Sequence, residues 1–226
     1  MQSFIHSPVV NIIKKALMEC SINLKRDFNE IGFLRSKNTT NFIVKAQQRA
    51  FDIIFDILQR SNTSHGFIFE DNIIKESENG YKWVIKPIDS QINYLHALPY
   101  WGSLILLLKD DVIQMAAYYM PMQDDFFITH INAGVFLNGK RLKFIPNNLE
   151  IIAGDVKNTN FNIGSVCFHM VYLCSRKIDA IVNKNMNEIE KQFIKLAAFE
   201  ASVIFDDAKC FVVHENFKKI IEARFI

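Results

Sequence analysis

The sequence predicts a mixed protein with an α+β half followed by an α/β half. Two helical patterns come first, a series of short apolar segments separated by turn residues follows, and strands then alternate with helices. The change of pattern falls at Pro146, so we predict one domain over residues 1–146 and a second over residues 147–226. A chain of 226 residues is long enough to bury a large core without disulfides.

The composition excludes several classes of protein. Hydrophobic residues make up 50% of the chain and charged residues 22%, as in compact globular proteins. Lys and Arg outnumber Asp and Glu by only 26 to 24, without a basic cluster, so direct binding of nucleic acid is disfavoured. The most apolar run, Leu104 to Leu108, is too short to cross a bilayer, and the four cysteines contain no Cys-x-x-Cys pair. We therefore expect a cytoplasmic protein without a membrane partner.

Two amphipathic helices are predicted near the amino terminus. From Val9 to Leu24, apolar residues recur with the 3.6-residue period of a helix. A second stripe runs from Ile43 to Leu58, after a Thr-Thr-Asn cluster at residues 39–41 that is typical of a helix cap. The second helix should end near Ser61.

Short apolar segments bounded by turn residues predict a sheet in the middle third. The segments are Phe67–Phe69, Lys82–Ile85, Ser103–Leu108, Val112–Tyr119, Phe126–Ile131 and Val135–Leu137. Lys-Asp-Asp at 109–111 and Asn-Gly at 138–139 are turn signals between neighbouring segments, so part of the sheet should be antiparallel. We expect the two preceding helices to cover it.

After Pro146 the alternation of strands and helices is typical of an α/β arrangement. The predicted order is strand 150–153, helix 164–175, strand 178–182, helix 188–199, strand 202–205, and a closing strand and helix.

One part of the chain carries most of the functional information. Residues 66–71 are Gly-Phe-Ile-Phe-Glu-Asp, and residues 83–96 are Trp-Val-Ile-Lys-Pro-Ile-Asp-Ser-Gln-Ile-Asn-Tyr-Leu-His. They resemble the inositol monophosphatase family, including its SuhB-like branch, in which one strand ends in Gly-Glu-Glu and a later one runs into Trp-x-Ile-Asp-Pro-Ile/Leu-Asp-Gly-Thr-x-Asn-Phe-x-His. Further matches at 134–142 and 164–180 extend the resemblance over nearly the whole chain. It implies a layered αβαβα sandwich of the sugar phosphatase type.

The resemblance also implies a metal site. Glu70, Asp89 and Glu190 match positions that bind metal in the family. Mg²⁺ requires hard oxygen ligands, and paired ions can activate a water while neutralising a phosphoryl group. Three oxygen ligands are therefore retained, and no catalytic residue is assigned with them.

Other matched positions depart from the family pattern. Lys86 stands where the family has a metal-bridging Asp, Ser90 and Gln91 replace the Gly-Thr of the phosphate loop, and Gln47 replaces another acidic residue. An ammonium about 4 Å from a divalent ion is repelled by roughly 8 kcal/mol at an effective dielectric of about 20. We therefore expect Mg²⁺ to bind weakly or not at all.

Lys86 also requires a partner of opposite charge. An unpaired ammonium among strand-end carboxylates would be costly. We predict that Lys86 forms an ion pair with Asp89 or Glu70.

Two functions stay open at this stage. The first is a degenerate, SuhB-like pseudoenzyme, impaired or inactive as a phosphatase and retained for partner binding, with a protein as the implied partner. The second is an active Mg²⁺-dependent phosphatase that hydrolyses inositol monophosphate or a related sugar phosphate with an altered metal arrangement. Lys86 and Gln91 favour the first function, whereas the retained Glu70, Asp89 and Glu190 favour the second. The resemblance further implies a homodimer.

Overall fold

A computed structural model describes residues 4–31, 39–146 and 148–225. The chain divides into two compact units, residues 1–126 and 127–226. The domain boundary that the sequence predicts at residue 146 stays a prediction. None of the helices in the described residues is long and apolar enough to cross a membrane.

In its described residues, the first unit combines three helices with five strands. Helices α1, α2 and α3 span Pro8–Ile31, Thr39–Ser61 and Gln91–Leu95. Strands β1 to β5 span Gly66–Phe69, Asn72–Lys75, Tyr81–Asp89, Gly102–Lys109 and Val112–Met120. Their order across the sheet is β2-β1-β3-β4-β5; β1 and β3 are parallel, and the other neighbouring pairs are antiparallel.

The two long helices pack against each other and against this sheet. The apolar stripe of α1 buries Ile13 and Leu17, and that of α2 buries Ile54 and Leu58. Burying one apolar face of each helix on the sheet is what makes these segments helical in the folded protein. The prediction that the helices cover the sheet is confirmed.

Helix α1 is longer than its apolar pattern predicts, because it continues past Leu24 to Ile31. Charged residues at 25–27 interrupt the apolar stripe in the sequence. In the fold, however, Asp27 is buried and forms an ion pair with Arg49 of α2. The short β2 and α3 are also absent from the sequence prediction; β2 has only four residues and is largely exposed, although it contains Ile73 and Ile74.

Over the residues that the structure describes, the second unit contains two groups of strands and three α-helices. Strand β6 begins just before the division between the units. The first group of strands, β6 to β8, spans Asp125–His130, Gly134–Leu137 and Lys140–Leu142. These strands are antiparallel, in the order β6-β7-β8. Strands β9 to β12 span Ile152–Gly154, Ala180–Val182, Ile204–Asp206 and Phe211–Val213, in the order β11-β12-β10-β9. Helices α4, α5 and α6 span Val166–Cys174, Glu188–Ala201 and Lys218–Phe225.

Strands β9 and β10 are parallel and α4 lies between them in the chain, which confirms the predicted α/β alternation. The strand predicted over 202–205 begins only at Ile204. The reason is that Ser202 adopts a left-handed conformation, with φ of 59°, and caps the end of α5. Packing of Ile152, Val182 and Phe211 forms part of the core of this unit.

Candidate active site

A bulge at the end of β3 determines which way its polar side chains point. Lys86 pairs with Leu104 of β4, and Asp89 pairs with Gly102, so β3 advances three residues while β4 advances two. In a regular strand, residues three apart point to opposite faces. The extra residue in β3 removes this alternation and lets Lys86 and Asp89 meet on one side.

Lys86 and Asp89 form an ion pair in this bulge. The Nζ of Lys86 lies 2.6 Å from Oδ1 of Asp89, and the two side chains are 18% and 2% exposed. The hydroxyl of Tyr118, on β5, donates a hydrogen bond of 2.9 Å to Oδ2 of Asp89. Both carboxylate oxygens therefore accept hydrogen bonds, and the predicted pairing of Lys86 is confirmed.

Sequence reasoning missed Tyr118, because nothing in its own neighbourhood separates it from the core residues of β5. The structure provides a signal in Gly102, which lies opposite Asp89. A Cβ atom at Gly102 would lie 2.7 Å from the hydroxyl oxygen of Tyr118 and 2.5 Å from its Cζ. Glycine is therefore needed at this position to leave room for the ring that reaches Asp89.

Glu70 lies in the turn between β1 and β2. It and Asp71 both have positive φ, of 47° and 63°, as expected for the central residues of a tight hairpin turn. The exposed carboxylate of Glu70 accepts a hydrogen bond from the side-chain amide of Gln47 on α2. Gln91 in turn donates a bond of 2.6 Å to Oε1 of Gln47. The three side chains form a chain of hydrogen bonds.

Ser90 follows Asp89 in a left-handed conformation, with φ of 58°, and leads into α3. The segment after it is anchored by two hydrogen bonds. Asn93 donates to the carbonyl of Tyr100 at 2.7 Å, and the Tyr94 hydroxyl donates to the carbonyl of Leu24 at 2.8 Å. The backbone that joins Asp89 to Gln91 is therefore held against α1 and the start of β4.

Glu190 belongs to the second unit and lies in the first turn of α5. Its carboxylate accepts a hydrogen bond from the backbone of Asn187 at 3.0 Å, and its own backbone donates to the Asn187 side chain at 2.9 Å. This reciprocal arrangement is a capping box, which stabilises the start of the helix. The metal-binding role that the sequence assigns to Glu190 stays a prediction.

Together, the mixed sheets, the flanking helices and the polar strand ends define a class of protein, that with the mixed α/β fold of the sugar phosphatases. The extragenic suppressor protein SuhB from Bartonella henselae has this fold, with a TM-score of 0.79 at 21% identity over 96% of this chain and 98% of that protein. Inositol monophosphatase II from Staphylococcus aureus MSSA476 gives a TM-score of 0.77 at 15% identity, over 96% and 95% of the two chains.

Sequence comparison narrows the class to a family. A profile of the Inositol monophosphatase family matches residues 5–187, and the chain therefore belongs to that family. Among its relatives, the inositol-1-monophosphatase of Mesorhizobium japonicum is 29% identical over 167 residues, which are 73% of this chain and 60% of that protein. The Nus factor SuhB of Escherichia coli K12 is 24% identical over 184 residues, 80% and 66% of the two chains.

The matches cover only part of the relatives. The chain spans 60%, 53% and 52% of the length of three curated inositol-1-monophosphatases. The activity and substrates of these relatives therefore apply to this protein only as proposals.

Members of the family generally depend on Mg²⁺. The residues Gln47, Glu70, Lys86, Asp89 and Gln91, which we call the cluster, do not fit a pair of such ions. Oδ1 of Asp89 is bonded to an ammonium, and the Glu70 carboxylate is bonded to an amide nitrogen. Within residues 4–31, 39–146 and 148–225, no group of three or more His, Cys, Asp or Glu side chains gathers in a way that could hold a metal. Oδ1 of Asp89 and Oε1 of Glu70, which a metal ion could use as ligands, are therefore bonded to a cation and to a neutral donor.

Proposed function

We propose that this protein is an inositol monophosphatase-like, SuhB-like protein that is impaired or inactive as a phosphatase and is retained for partner binding. The observation that carries the proposal is the ion pair of Lys86 with Asp89, with 2.6 Å between Nζ and Oδ1. A fixed ammonium competes with Mg²⁺ for the same oxygen and repels the ion electrostatically. An attacking water would therefore lack the metal that lowers its pKa.

The hydrogen bonds that link Gln91, Gln47 and Glu70 also support weak binding of Mg²⁺. Gln47 and Gln91 are neutral, so they cannot restore the negative charge that binds two divalent ions. Gln47 also directs a hydrogen-bond donor at Glu70. A metal ion at Glu70 would have to displace that donor.

Calorimetry and a phosphatase assay test the loss of activity. We expect weak or undetectable Mg²⁺ binding, and turnover of inositol monophosphate and other sugar phosphates far below that of the Mesorhizobium japonicum relative assayed alongside. Two tightly bound ions per chain, or turnover equal to that of the relative, would contradict the proposal.

A repaired variant tests whether the residue match is correct. Lys86→Asp combined with Ser90→Gly and Gln91→Thr restores the family pattern beside Asp89. We expect Mg²⁺ affinity to rise by orders of magnitude, because each 1.4 kcal/mol of removed repulsion is worth about tenfold. Turnover should stay weak, since Gln47 is still present. Lys86→Met is the control that removes the charge without adding a ligand, and it should bind Mg²⁺ less tightly than the triple variant.

The binding half of the proposal rests on the relatives named Nus factor SuhB. In cells that depend on this protein, Glu70→Gln removes a retained carboxylate while leaving the scaffold intact. If binding is the function, the variant should support growth as well as the parent. Loss of growth with an intact fold would point to chemistry at the cluster.

The predicted protein partner, homodimer and cytoplasmic location stay predictions.

The second candidate is an active phosphatase with an altered metal arrangement. It is favoured by the exposed position of Glu70, whose carboxylate is accessible from solvent, and by the relatives named inositol-1-monophosphatase. Metal-dependent turnover that disappears in Glu70→Gln would establish it.

A further inference from the structure

The second unit contains a hollow between strand β8 and the end of helix α4. Its volume is about 310 Å³, and we call it the cationic hollow because Arg141, Lys143 and Arg176 are among its lining residues. Leu142 and Ile145 contribute apolar surface. No Asp or Glu is present among the described residues that line it.

A second hollow of about 450 Å³ adjoins the first and shares Ile145, Ser175 and Arg176 with it. It contains Asp179, but Oδ2 of this carboxylate already accepts hydrogen bonds from two backbone N–H groups, those of Glu150 and Ile151, at 3.0 and 2.8 Å. The two hollows form one depression whose volume lies in the range of small-molecule sites.

Two of the cations lack a directly bonded counter-charge in the part of the chain that the structure describes. Among the residues that the structure describes, neither Lys143 nor Arg176 forms an ion pair or a side-chain hydrogen bond. Like charges gathered at one depression repel each other, and an anion bound there would relieve the repulsion.

The backbone at Arg176 provides an independent observation. The N–H groups of Arg176 and Lys177 donate to the carbonyls of Leu173 and Tyr172, at 2.9 and 2.8 Å, which is the hydrogen-bond pattern of a Schellman motif. Arg176 occupies the left-handed position of this motif, with φ of 60°, where glycine is the favoured residue.

The helix itself does not require an arginine there. Lys177 already places a cation at the same helix end, with its Nζ 4.5 Å from the centre of the Tyr172 ring. The side chain of Arg176 extends from this helix end into the lining of the depression.

We propose that the cationic hollow binds the phosphate group of a small organic phosphate. Arg176 presents a guanidinium group that matches phosphate oxygens, and Arg141 and Lys143 add positive charge to the lining. The apolar surface of Leu142 and Ile145 receives the organic part of the ligand. This site belongs to the second unit and does not depend on the cluster around Asp89.

Calorimetry on the full chain in EDTA, without Mg²⁺, tests the site, with phenyl phosphate and inorganic phosphate as probes. Phenyl phosphate should bind at one site per chain and more tightly than inorganic phosphate. Equal affinities would overturn the organic part of the proposal, and absence of saturable binding of either probe would overturn the site.

Arg176→Gly is the decisive variant, because glycine suits the left-handed backbone. We expect its Tm to be no lower than that of the parent, while phenyl phosphate binds about tenfold or more weakly, as expected for loss of a charge-assisted hydrogen bond. Lys143→Gln should also weaken binding. Lys140→Gln is the matched control, since Lys140 is an exposed cation of β8 outside the hollow, and it should bind like the parent. Unchanged affinity in both hollow variants, or an equal loss in the control, would overturn the proposal.

Discussion

At the scale of single residues, the ion pair of Lys86 and Asp89 fixes how charge is arranged in the cluster. The buried carboxylate of Asp89 needs a compensating charge, and Lys86 provides it within the protein. The same oxygen cannot keep this ammonium and also bind a divalent ion. The presence of Lys86 where the family has an Asp therefore removes one metal ligand and also adds a counter-ion within the protein.

Removing the charge of Lys86 should destabilise the fold. We expect Lys86→Met to lower the free energy of unfolding by about 2–4 kcal/mol, because it leaves the Asp89 carboxylate buried with one partner fewer. Urea denaturation at neutral pH measures the loss. The control is Lys82→Met on the same strand, where the partner Asp111 is 75% exposed, and where we expect less than about 1 kcal/mol. Equal losses in the two variants would show that Lys86 is not a special counter-ion.

At the scale of elements, the ion pair between Asp27 and Arg49 explains why α1 extends beyond the residues that its apolar pattern predicts. Asp27 is buried, and Arg49 reaches it from α2. A second cation, Arg26, lies 3.3 Å from the other oxygen of Asp27. The last turn of α1 is thereby tied to α2.

Neutralising Asp27 should loosen this connection. We expect Asp27→Asn to reduce the free energy of unfolding by about 1–3 kcal/mol, since the buried pair and its charge-assisted hydrogen bond are lost. Asp56→Asn is the control, because Asp56 forms an exposed pair with Arg60 within α2 and should contribute less than about 0.5 kcal/mol. Chemical denaturation of both variants checks the difference, and a control loss as large as that of Asp27→Asn would refute it.

His65, which lies just before β1, should make the free energy of unfolding depend on pH. Burial, and then the charge of Lys75, lowers the pKa of His65 from its ordinary 6.5. The unfolded chain therefore takes up the proton more readily than the folded one, so stability falls as the pH decreases below 6.5 towards the lower folded-state pKa. We expect His65→Phe, which keeps a ring stacked on Tyr81, to lose less stability than the parent between about pH 7.5 and about pH 5.

The control for this prediction is His96→Gln, since His96 is exposed. Its denaturation curves should show the same pH dependence as the parent. If His65→Phe also keeps the full pH dependence of the parent, other groups cause it.

At the scale of the whole molecule, the ion pair of Lys86 with Asp89 should make folding independent of Mg²⁺. A ligand present at 100 times its Kd stabilises the folded state by about 2.7 kcal/mol, which a thermal melt detects easily. We expect the Tm of the parent to be the same in Mg²⁺ and in EDTA. The triple variant Lys86→Asp, Ser90→Gly, Gln91→Thr serves as the positive control and should melt higher in Mg²⁺. A rise in the Tm of the parent with Mg²⁺ would show that the cluster still binds the ion.

Much of the fold could be predicted from the sequence, because the signals involved are local. Helical periodicity placed α2 almost to the residue, and turn residues placed the hairpins of the middle third. The motif around Asp89 identified the cluster and the replaced positions in it. Each of these depends on residues that are close together in the chain.

What only the tertiary structure decided depends on residues that are distant in the chain. Tyr118 reaches Asp89 from another strand, and Gln91 reaches Gln47 across 44 positions. The bulge that turns Lys86 towards Asp89 is a property of how β3 pairs with β4, and no local pattern encodes it. The sequence by itself thus determined which groups are present, whereas packing decided which of them meet, because hydrogen bonds and ion pairs form between neighbours in space.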